Sequence, residues 1–197
     1  MDALEAIFSR RSSRRMKADP VPRDLIKKII EAGRAAPCGG NSQTTHFIVI
    51  ENKAILDELA RIVLQEFAKM EVKPDTYRSL KKSIISSKRG DYVFHYNAPV
   101  LVVAANRIGY GNAMADSACA LENMMIAANA SDLGSCYINQ LHWLTDNEII
   151  RSFMEELGLL KEETITGGLI LGYPDTEDGL PLRESKKITG NPVTWVQ

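Results

Sequence analysis

Apolar side chains recur three or four residues apart in several segments of the chain, which is the spacing of one helix face. The clearest case is the stripe formed by Leu25, Ile26, Ile29 and Ile30. This periodicity predicts helices over residues 2–9, 23–36, 54–67 and 114–130, and a further helix that ends at residue 157. Either Thr145 or Asp146 can cap this last helix.

Short apolar runs rich in β-branched residues predict strands over residues 46–50, 99–105, 135–138 and 167–174. The second run is apolar at every position, which is typical of a strand buried on both faces in the middle of a sheet. The helix predicted over 114–130 is apolar almost all round. We therefore expect it to be enclosed on most sides, with its methionines in the core.

Two segments lack clear patterning. Residues 69–90 are charged and weakly periodic, and we expect an excursion that covers another part of the molecule. Residues 175–197 form a polar tail with an apolar ending that includes Trp195 and Val196. This ending favours a tail that docks on another surface, such as a second subunit.

The composition is that of a globular protein, with 45% hydrophobic and 25% charged residues. A length of 197 residues fits one domain, so we expect a single domain over residues 1–197. The formal charge of −1 provides no overall field to attract nucleic acid, so any basic function must be local. No apolar stretch is long enough to span a membrane and no signal core is apparent, and we expect a cytoplasmic protein.

The cysteines are odd in number and widely separated, which supports neither a disulfide framework nor a metal pattern. We expect Cys119 and Cys136 to be core residues. The three histidines are equally isolated, so we expect no metal site.

Two polar segments carry the candidate chemistry. The run Arg10-Arg11-Ser12-Ser13-Arg14 offers a phosphate both charge and directed donors. About one helix later, residues 37–43 combine glycines that allow close backbone approach with the amide side chains of an asparagine and a glutamine. Each segment alone also fits a solvated face or an ordinary turn. Their order and spacing predict two walls of a site for a phosphate-bearing cofactor.

The ordered set of segments resembles the FMN-dependent nitroreductase family over essentially the whole chain. Five pieces carry the resemblance: residues 10–14, residues 36–43, the strand opening Ala98-Pro99-Val100, the helix 116–128 that leads to 134–138, and Leu171-Gly172-Tyr173-Pro174. The resemblance implies an α+β fold, with a central mixed, mainly antiparallel sheet flanked by helices. It also implies an obligate homodimer with two FMN molecules at the interface, and a C-terminal tail that docks on the partner subunit.

The resemblance also implies roles for particular residues. Arg10 and Ser12 would hold the FMN phosphate, Arg14 would reach the pyrimidine side of the ring, and Arg11 would add backbone or ribityl contacts. The tail would supply a further phosphate contact from Arg183 or Lys186. The other subunit would contribute Pro37, Cys38, Gly39 and Asn41, with Gln43 in the same loop. Three residues would lie against the N5 edge of the flavin: Ile138, Asn139 and Gln140.

The implied function is an oxidoreductase that uses NADH or NADPH to reduce an electron-poor acceptor, such as a nitroaromatic or a quinone, by a ping-pong hydride transfer. Two alternatives stay open: a related flavin chemistry (dehalogenation, ene reduction or flavin breakdown) and a non-catalytic FMN-binding protein. The chain departs from the family where Thr44 follows Gln43 in place of proline, and where Asn139 and Gln140 replace small or acidic residues. These departures leave the acceptor and the choice of donor open.

Overall fold

Four strands form one antiparallel sheet in the computed structural model, which describes residues 1–184 and 188–197. They are β1 (His46–Ile50), β2 (Val100–Arg107), β3 (Gly134–Ile138) and β4 (Glu163–Gly172), in the spatial order β1-β2-β4-β3. The expected central position of the run 99–105 is confirmed, because β2 pairs on both sides. A parallel element comes from an isolated bridge between Ser12 and Ser135.

Within the described residues, seven helices surround the sheet. They are α1 (Ala3–Ser9), α2 (Arg23–Arg34), α3 (Lys53–Lys69), α4 (Arg78–Arg89), α5 (Ala113–Ala130), α6 (Gln140–Trp143) and α7 (Glu148–Glu156), and a 3₁₀ turn covers Gly39–Asn41. This mixture of helices with an antiparallel sheet is the α+β fold that the sequence predicts. None of the helices within the described ranges is long and apolar enough to cross a membrane.

The alternation of side chains along β2 creates two separate cores. Val100 and Val102 pack with residues of α2 and α5 on one face. Leu101 and Val103 pack on the other face with residues of α3, α4, α6 and α7. Because β2 is buried on both faces, its sequence is apolar at consecutive positions rather than alternating.

The structure corrects three expectations in the second half of the chain. The cap of α7 is Asn147, whose side chain accepts from two backbone N–H groups of the first turn, whereas the Thr145 hydroxyl accepts from the Ile165 N–H at 3.0 Å. The short helix α6 was not predicted, since four residues are too few for a periodic pattern. Strand β4 begins at Glu163 rather than at residue 167, because its first residues pair with the end of β2 beyond a β-bulge.

The charged segment 69–90 contains helix α4. Ile84, on the inner side of this helix, is fully buried, and Gly90 ends the helix in the left-handed conformation with φ 81°. An edge-to-face contact between Tyr77 and Trp143, with ring centroids 6.3 Å apart, ties the start of α4 to α6. The segment therefore covers the face of the sheet that carries α6.

Helix α5 has one buried face and one exposed stripe, so it is less enclosed than expected. Met124 and Ala128 are buried against the sheet, but Met114 and Cys119 are exposed. The prediction that Cys119 is a core residue is wrong, because its position on the helix turns it away from the sheet. Cys136 is buried as predicted.

Candidate active site

The arginine-rich segment runs beside the outer edge of β3. The Ser13 N–H donates to the Ser135 carbonyl oxygen at 2.8 Å, and the Lys17 N–H donates to the Tyr173 oxygen at 2.8 Å. The approach requires a glycine at Gly134, where a Cβ atom would lie 2.9 Å from the Ser13 side chain. Because backbone groups form these hydrogen bonds, the arginine side chains of residues 10–14 remain available for other partners.

Arg10 and Arg11 extend from the end of α1 toward separate partners. Arg10 Nε lies 3.5 Å from the Glu122 carboxylate on α5, and the Arg11 guanidinium donates to the Glu184 carbonyl oxygen at 2.8 Å. The ion pair is long and half-exposed, so it holds Arg10 weakly.

Arg183 lies close to the same end of α1. It donates to the Asn129 carbonyl oxygen at 2.7 Å and to the Asp132 carboxylate at 2.5 Å, while the Asn129 side chain donates to the Ala6 oxygen at 3.0 Å. Arg10, Arg11 and Arg183 thus surround the junction of α1 and α5. Lys186, the other predicted phosphate ligand from the tail, lies outside the described residues.

Arg14 lies beside β3, and its surroundings differ from those of Arg10 and Arg11. Burial raises the pKa of the Cys136 thiol, and the positive charge of the neighbouring Arg14 opposes that shift. Arg14 also lines an open cavity of about 420 Å³ together with Tyr92 and Tyr96. The guanidinium is therefore positioned between the edge of the sheet and the segment that follows α4.

The end of β3 carries the three residues predicted to face the flavin edge. Gln140 donates from Nε2 to the Tyr92 hydroxyl at 2.7 Å, and Tyr92 lies 2.8 Å from the Ser83 hydroxyl. Ser83 donates its proton to the Ser79 carbonyl oxygen at 3.2 Å, so Tyr92 must donate to Ser83 and accept from Gln140. This order turns the Gln140 amide oxygen away from Tyr92.

Two buried acceptors remain at this end of β3. Within the described part of the chain, neither Asn139 Oδ1 nor Gln140 Oε1 has a hydrogen-bond partner. Burial also raises the pKa of Tyr92, which keeps its hydroxyl protonated and able to donate. Tyr92 connects Gln140 to the cavity that Arg14 lines, so Ile138, Asn139, Gln140 and Arg14 belong to one region.

The glycine loop, residues 37–43, has an unusual backbone. Gly40 has φ 58°, and the non-glycine residues Asn41 and Gln43 have φ 54° and 50°. Left-handed non-glycine residues cost free energy and concentrate at functional sites. Hydrogen bonds within the loop stabilise this backbone. The Gln43 side chain donates from Nε2 to Asn41 Oδ1 at 3.0 Å, and the Gln43 backbone N–H donates to Cys38 Sγ at 3.3 Å.

A buried carboxylate holds the glycine loop in place. Asp116, in the first turn of α5, accepts from the Gly39 N–H at 3.0 Å. The Tyr110 hydroxyl lies 3.1 Å from both the Asp116 carboxylate and the Gly39 carbonyl oxygen, so its proton is shared between two acceptors. Sequence reasoning missed both anchors. The available signal was Asp116 itself, an acidic residue near the start of a largely apolar helical segment.

The loop forms one wall of its own cavity, of about 310 Å³. Pro37, Cys38 and Gln43 line it together with Phe47 of β1 and Ala120 of α5. This cavity lies at the β1 edge of the sheet, whereas the arginine segment follows β3.

The two predicted walls therefore lie at opposite edges of the four-stranded sheet. Three interstrand steps separate β1 from β3, which corresponds to about 14 Å. Among the residues that the structure describes, no hydrogen bond or ion pair joins the glycine loop to residues 10–14. A single chain does not bring the walls together.

Comparisons with known proteins identify the family. The family model described as the nitroreductase family matches residues 7–173, and the chain belongs to this family. A nitroreductase with bound FMN from Bacteroides fragilis NCTC 9343 is 33% identical, with a TM-score of 0.86 and 100% of each chain covered. A BluB-like flavoprotein from Clostridium difficile 630 is 26% identical, with a TM-score of 0.75 and the same coverage.

A relative in Escherichia coli strain K12 carries the provisional name NAD(P)H nitroreductase YdjA. It is 28% identical over 181 residues, which cover 88% of this chain and 89% of the relative. The family and its named members make this chain an oxidoreductase.

Proposed function

We propose that this chain is an FMN-dependent oxidoreductase that takes electrons from NADH or NADPH and reduces an electron-poor acceptor, such as a nitroaromatic or a quinone. One observation carries the proposal: the two polar walls occupy opposite edges of one sheet, in a family whose solved member from Bacteroides fragilis has bound FMN. Such walls form a complete site only when two chains meet.

The side chains present fit FMN. The guanidinium groups of Arg10 and Arg11 and the hydroxyl of Ser12 are the donors that a phosphate requires. At the other end of this region, Asn139 Oδ1 and Gln140 Oε1 are buried acceptors without a partner among the described residues. A flavin ring can donate to such acceptors from N3–H, and in its reduced form also from N5–H. The donors and the acceptors thus suit opposite ends of one elongated ligand.

A homodimer would complete the site. Helix α5 holds the glycine loop through Asp116 near its start and approaches Arg10 through Glu122, about 9 Å further along. A twofold axis crossing α5 near Cys119 would lay the start of one α5 against the end of the other. The glycine loop of one subunit would then face the arginine segment of its partner.

Exposed apolar residues support this dimer. Phe8 on α1 is 68% exposed, and Leu4, Ile7 and Met114 are also exposed beside the small residues of the α5 stripe. In the tail, Trp195 is 84% exposed. We propose that the partner subunit covers both surfaces, since apolar area of this kind favours burial.

The chain's own residues would prepare the chemistry. FMN, when bound, supplies hydride acceptance from the nicotinamide and hydride delivery to the acceptor. Arg10 and Ser12 would hold the phosphate, and Arg14 would stabilise negative charge that develops on the pyrimidine side of the ring. Donor and acceptor would use the same open face in turn, which gives ping-pong kinetics. We also propose that the protein works in the cytoplasm, where its three free cysteines would stay reduced.

The test is an absorbance spectrum of the purified protein, followed by anaerobic addition of NADH and then NADPH. A yellow protein that bleaches with either donor and recovers with an added quinone supports the proposal. A yellow protein that neither donor bleaches would be an FMN-binding protein without turnover. A colourless protein that takes up no added FMN refutes the proposal.

A further inference from the structure

Every charged residue on the exposed side of helix α4 is basic. Five of its twelve residues are lysine or arginine and none is acidic. All five are exposed, whereas Ser83, Ile84 and Ser87 on the opposite side are buried. The basic face of α4 consists of Arg78, Lys81, Lys82, Lys88 and Arg89. It is a local concentration of positive charge in a chain whose formal charge is −1.

Helix stability does not account for these charges. Positive side chains are favourable in the last turn, which suits Lys88 and Arg89, but Arg78 and Lys81 lie near the N-terminus, where the helix dipole opposes them. Basic residues three or four positions apart also repel each other. Of the five, within the described ranges, Arg89 alone has a carboxylate within 4 Å, at 3.5 Å.

The basic face forms the outer side of the candidate active site. On its buried side, Ser83 bonds Tyr92, and Tyr92 bonds Gln140 at the end of β3. Tyr92 also lines the cavity that contains Arg14. The basic face therefore lies on the solvent side of the helix whose inner side connects through Tyr92 to the end of β3, so its positive charge acts on ligands that approach this region.

We propose that the basic face of α4 recruits the electron donor through its phosphates and makes the enzyme prefer NADPH to NADH. This inference rests on the proposed function. The two donors share the nicotinamide and the diphosphate, and they differ by the 2′-phosphate, which adds between one and two negative charges near pH 7. A field of five positive charges attracts the more negative donor more strongly and accelerates its encounter with the protein.

The experiment is stopped-flow reduction of the FMN-loaded enzyme under anaerobic conditions, with NADPH and NADH compared at low ionic strength and near 0.3 M salt. The test variant is Lys81→Gln/Lys82→Gln. The matched control is Lys27→Gln/Lys28→Gln, a pair of exposed lysines on α2, on the other face of the sheet.

At low salt we expect the second-order rate constant for NADPH to exceed that for NADH in the wild type, and to fall about fivefold to tenfold in Lys81→Gln/Lys82→Gln. NADH should lose about twofold. High salt should abolish most of the difference, because the Debye length shortens to a few ångströms. The α2 control should behave as the wild type. Equal losses for the two donors, or no loss for NADPH, would overturn the proposal.

A second measurement separates this inference from the redox function. Binding of 2′,5′-ADP and of ADP to the FMN-loaded enzyme is measured by calorimetry, and neither compound carries a nicotinamide. We expect 2′,5′-ADP to bind more tightly, with an advantage that Lys81→Gln/Lys82→Gln removes. Equal binding of the two nucleotides overturns the inference even if NADH and NADPH both bleach the flavin. A clear 2′,5′-ADP preference in an enzyme that neither donor bleaches would instead count against the proposed function alone.

Discussion

Replacing Asp116 with alanine tests how the glycine loop is held. The Asp116 side chain is 6% exposed and accepts from the Gly39 N–H at 3.0 Å and from the Tyr110 hydroxyl at 3.1 Å. Asp116→Ala removes both bonds and leaves the Gly39 N–H without its acceptor, whereas the Tyr110 hydroxyl still has the Gly39 carbonyl oxygen at 3.1 Å.

The magnitude follows from the burial of the partners. A hydrogen bond to a charged group contributes about 1.5–3 kcal/mol. Gly39 and Tyr110 are half-buried, so water can replace part of each bond, and the low end applies. Because the Tyr110 hydroxyl keeps a second acceptor, the main loss is the bond from the Gly39 N–H, and we expect Asp116→Ala to lower the free energy of unfolding by about 2 kcal/mol. For a protein of this length the corresponding fall in Tm is roughly 4–8 °C.

The assay is urea unfolding at one fixed protomer concentration, because dimer formation would make the stability depend on concentration. Asp24→Ala is the matched control: Asp24 also lies in the first turn of a helix, but its side chain is 96% exposed and it forms a surface ion pair with Lys27. Both variants lose the same helix-dipole effect. A difference between them below about 1 kcal/mol would refute the reasoning, since the lost charge-assisted bond from the Gly39 N–H should by itself exceed it.

Three further predictions concern other parts of the molecule. Arg10→Ala and Arg14→Ala should each weaken FMN binding at least tenfold in a calorimetric titration, whereas Arg15→Ala, whose side chain is 82% exposed, should not; unchanged affinity in both would remove these arginines from the site. Tyr92→Phe should lower the free energy of unfolding by about 1–2 kcal/mol. Burial raises the pKa of Tyr92 above 10.0, so the stabilisation by its hydroxyl is present below that pH and is lost as pH rises through the folded pKa. In urea unfolding, the Tyr92→Phe variant should therefore lose less free energy of unfolding than the wild type at alkaline pH. An equal loss in the two proteins would contradict this. Burial lowers the pKa of His95 below 6.5, so the free energy of unfolding should fall as pH falls below 6.5. In His95→Phe, the free energy of unfolding should depend less steeply on pH in this range. An unchanged dependence on pH would exclude His95 as the cause.

Much of the secondary structure followed from local patterns. The apolar run at the start of β2 predicted a central strand, and the stripe on α2 predicted its helix, because burial on a sheet or helix face repeats with a fixed period. Helix α4 gave no clear pattern, since two of its three buried positions are serines and five of its twelve residues are lysine or arginine. The placement of Cys119 in the core failed for a related reason: small residues on an exposed stripe look apolar in sequence.

The chemistry of the two walls was visible in the residue types alone, because guanidinium groups, hydroxyls and glycines have the same binding properties wherever they occur. The position of the two walls could not be predicted from the residue types. Strand order depends on pairing between segments far apart in sequence, and here it puts the glycine loop beside β1 and the arginines beside β3. The anchoring of the loop by Asp116 and the orientation of Gln140 by Tyr92 likewise join residues 77 and 48 positions apart. Only long-range packing creates such contacts, so they become visible only in the folded chain.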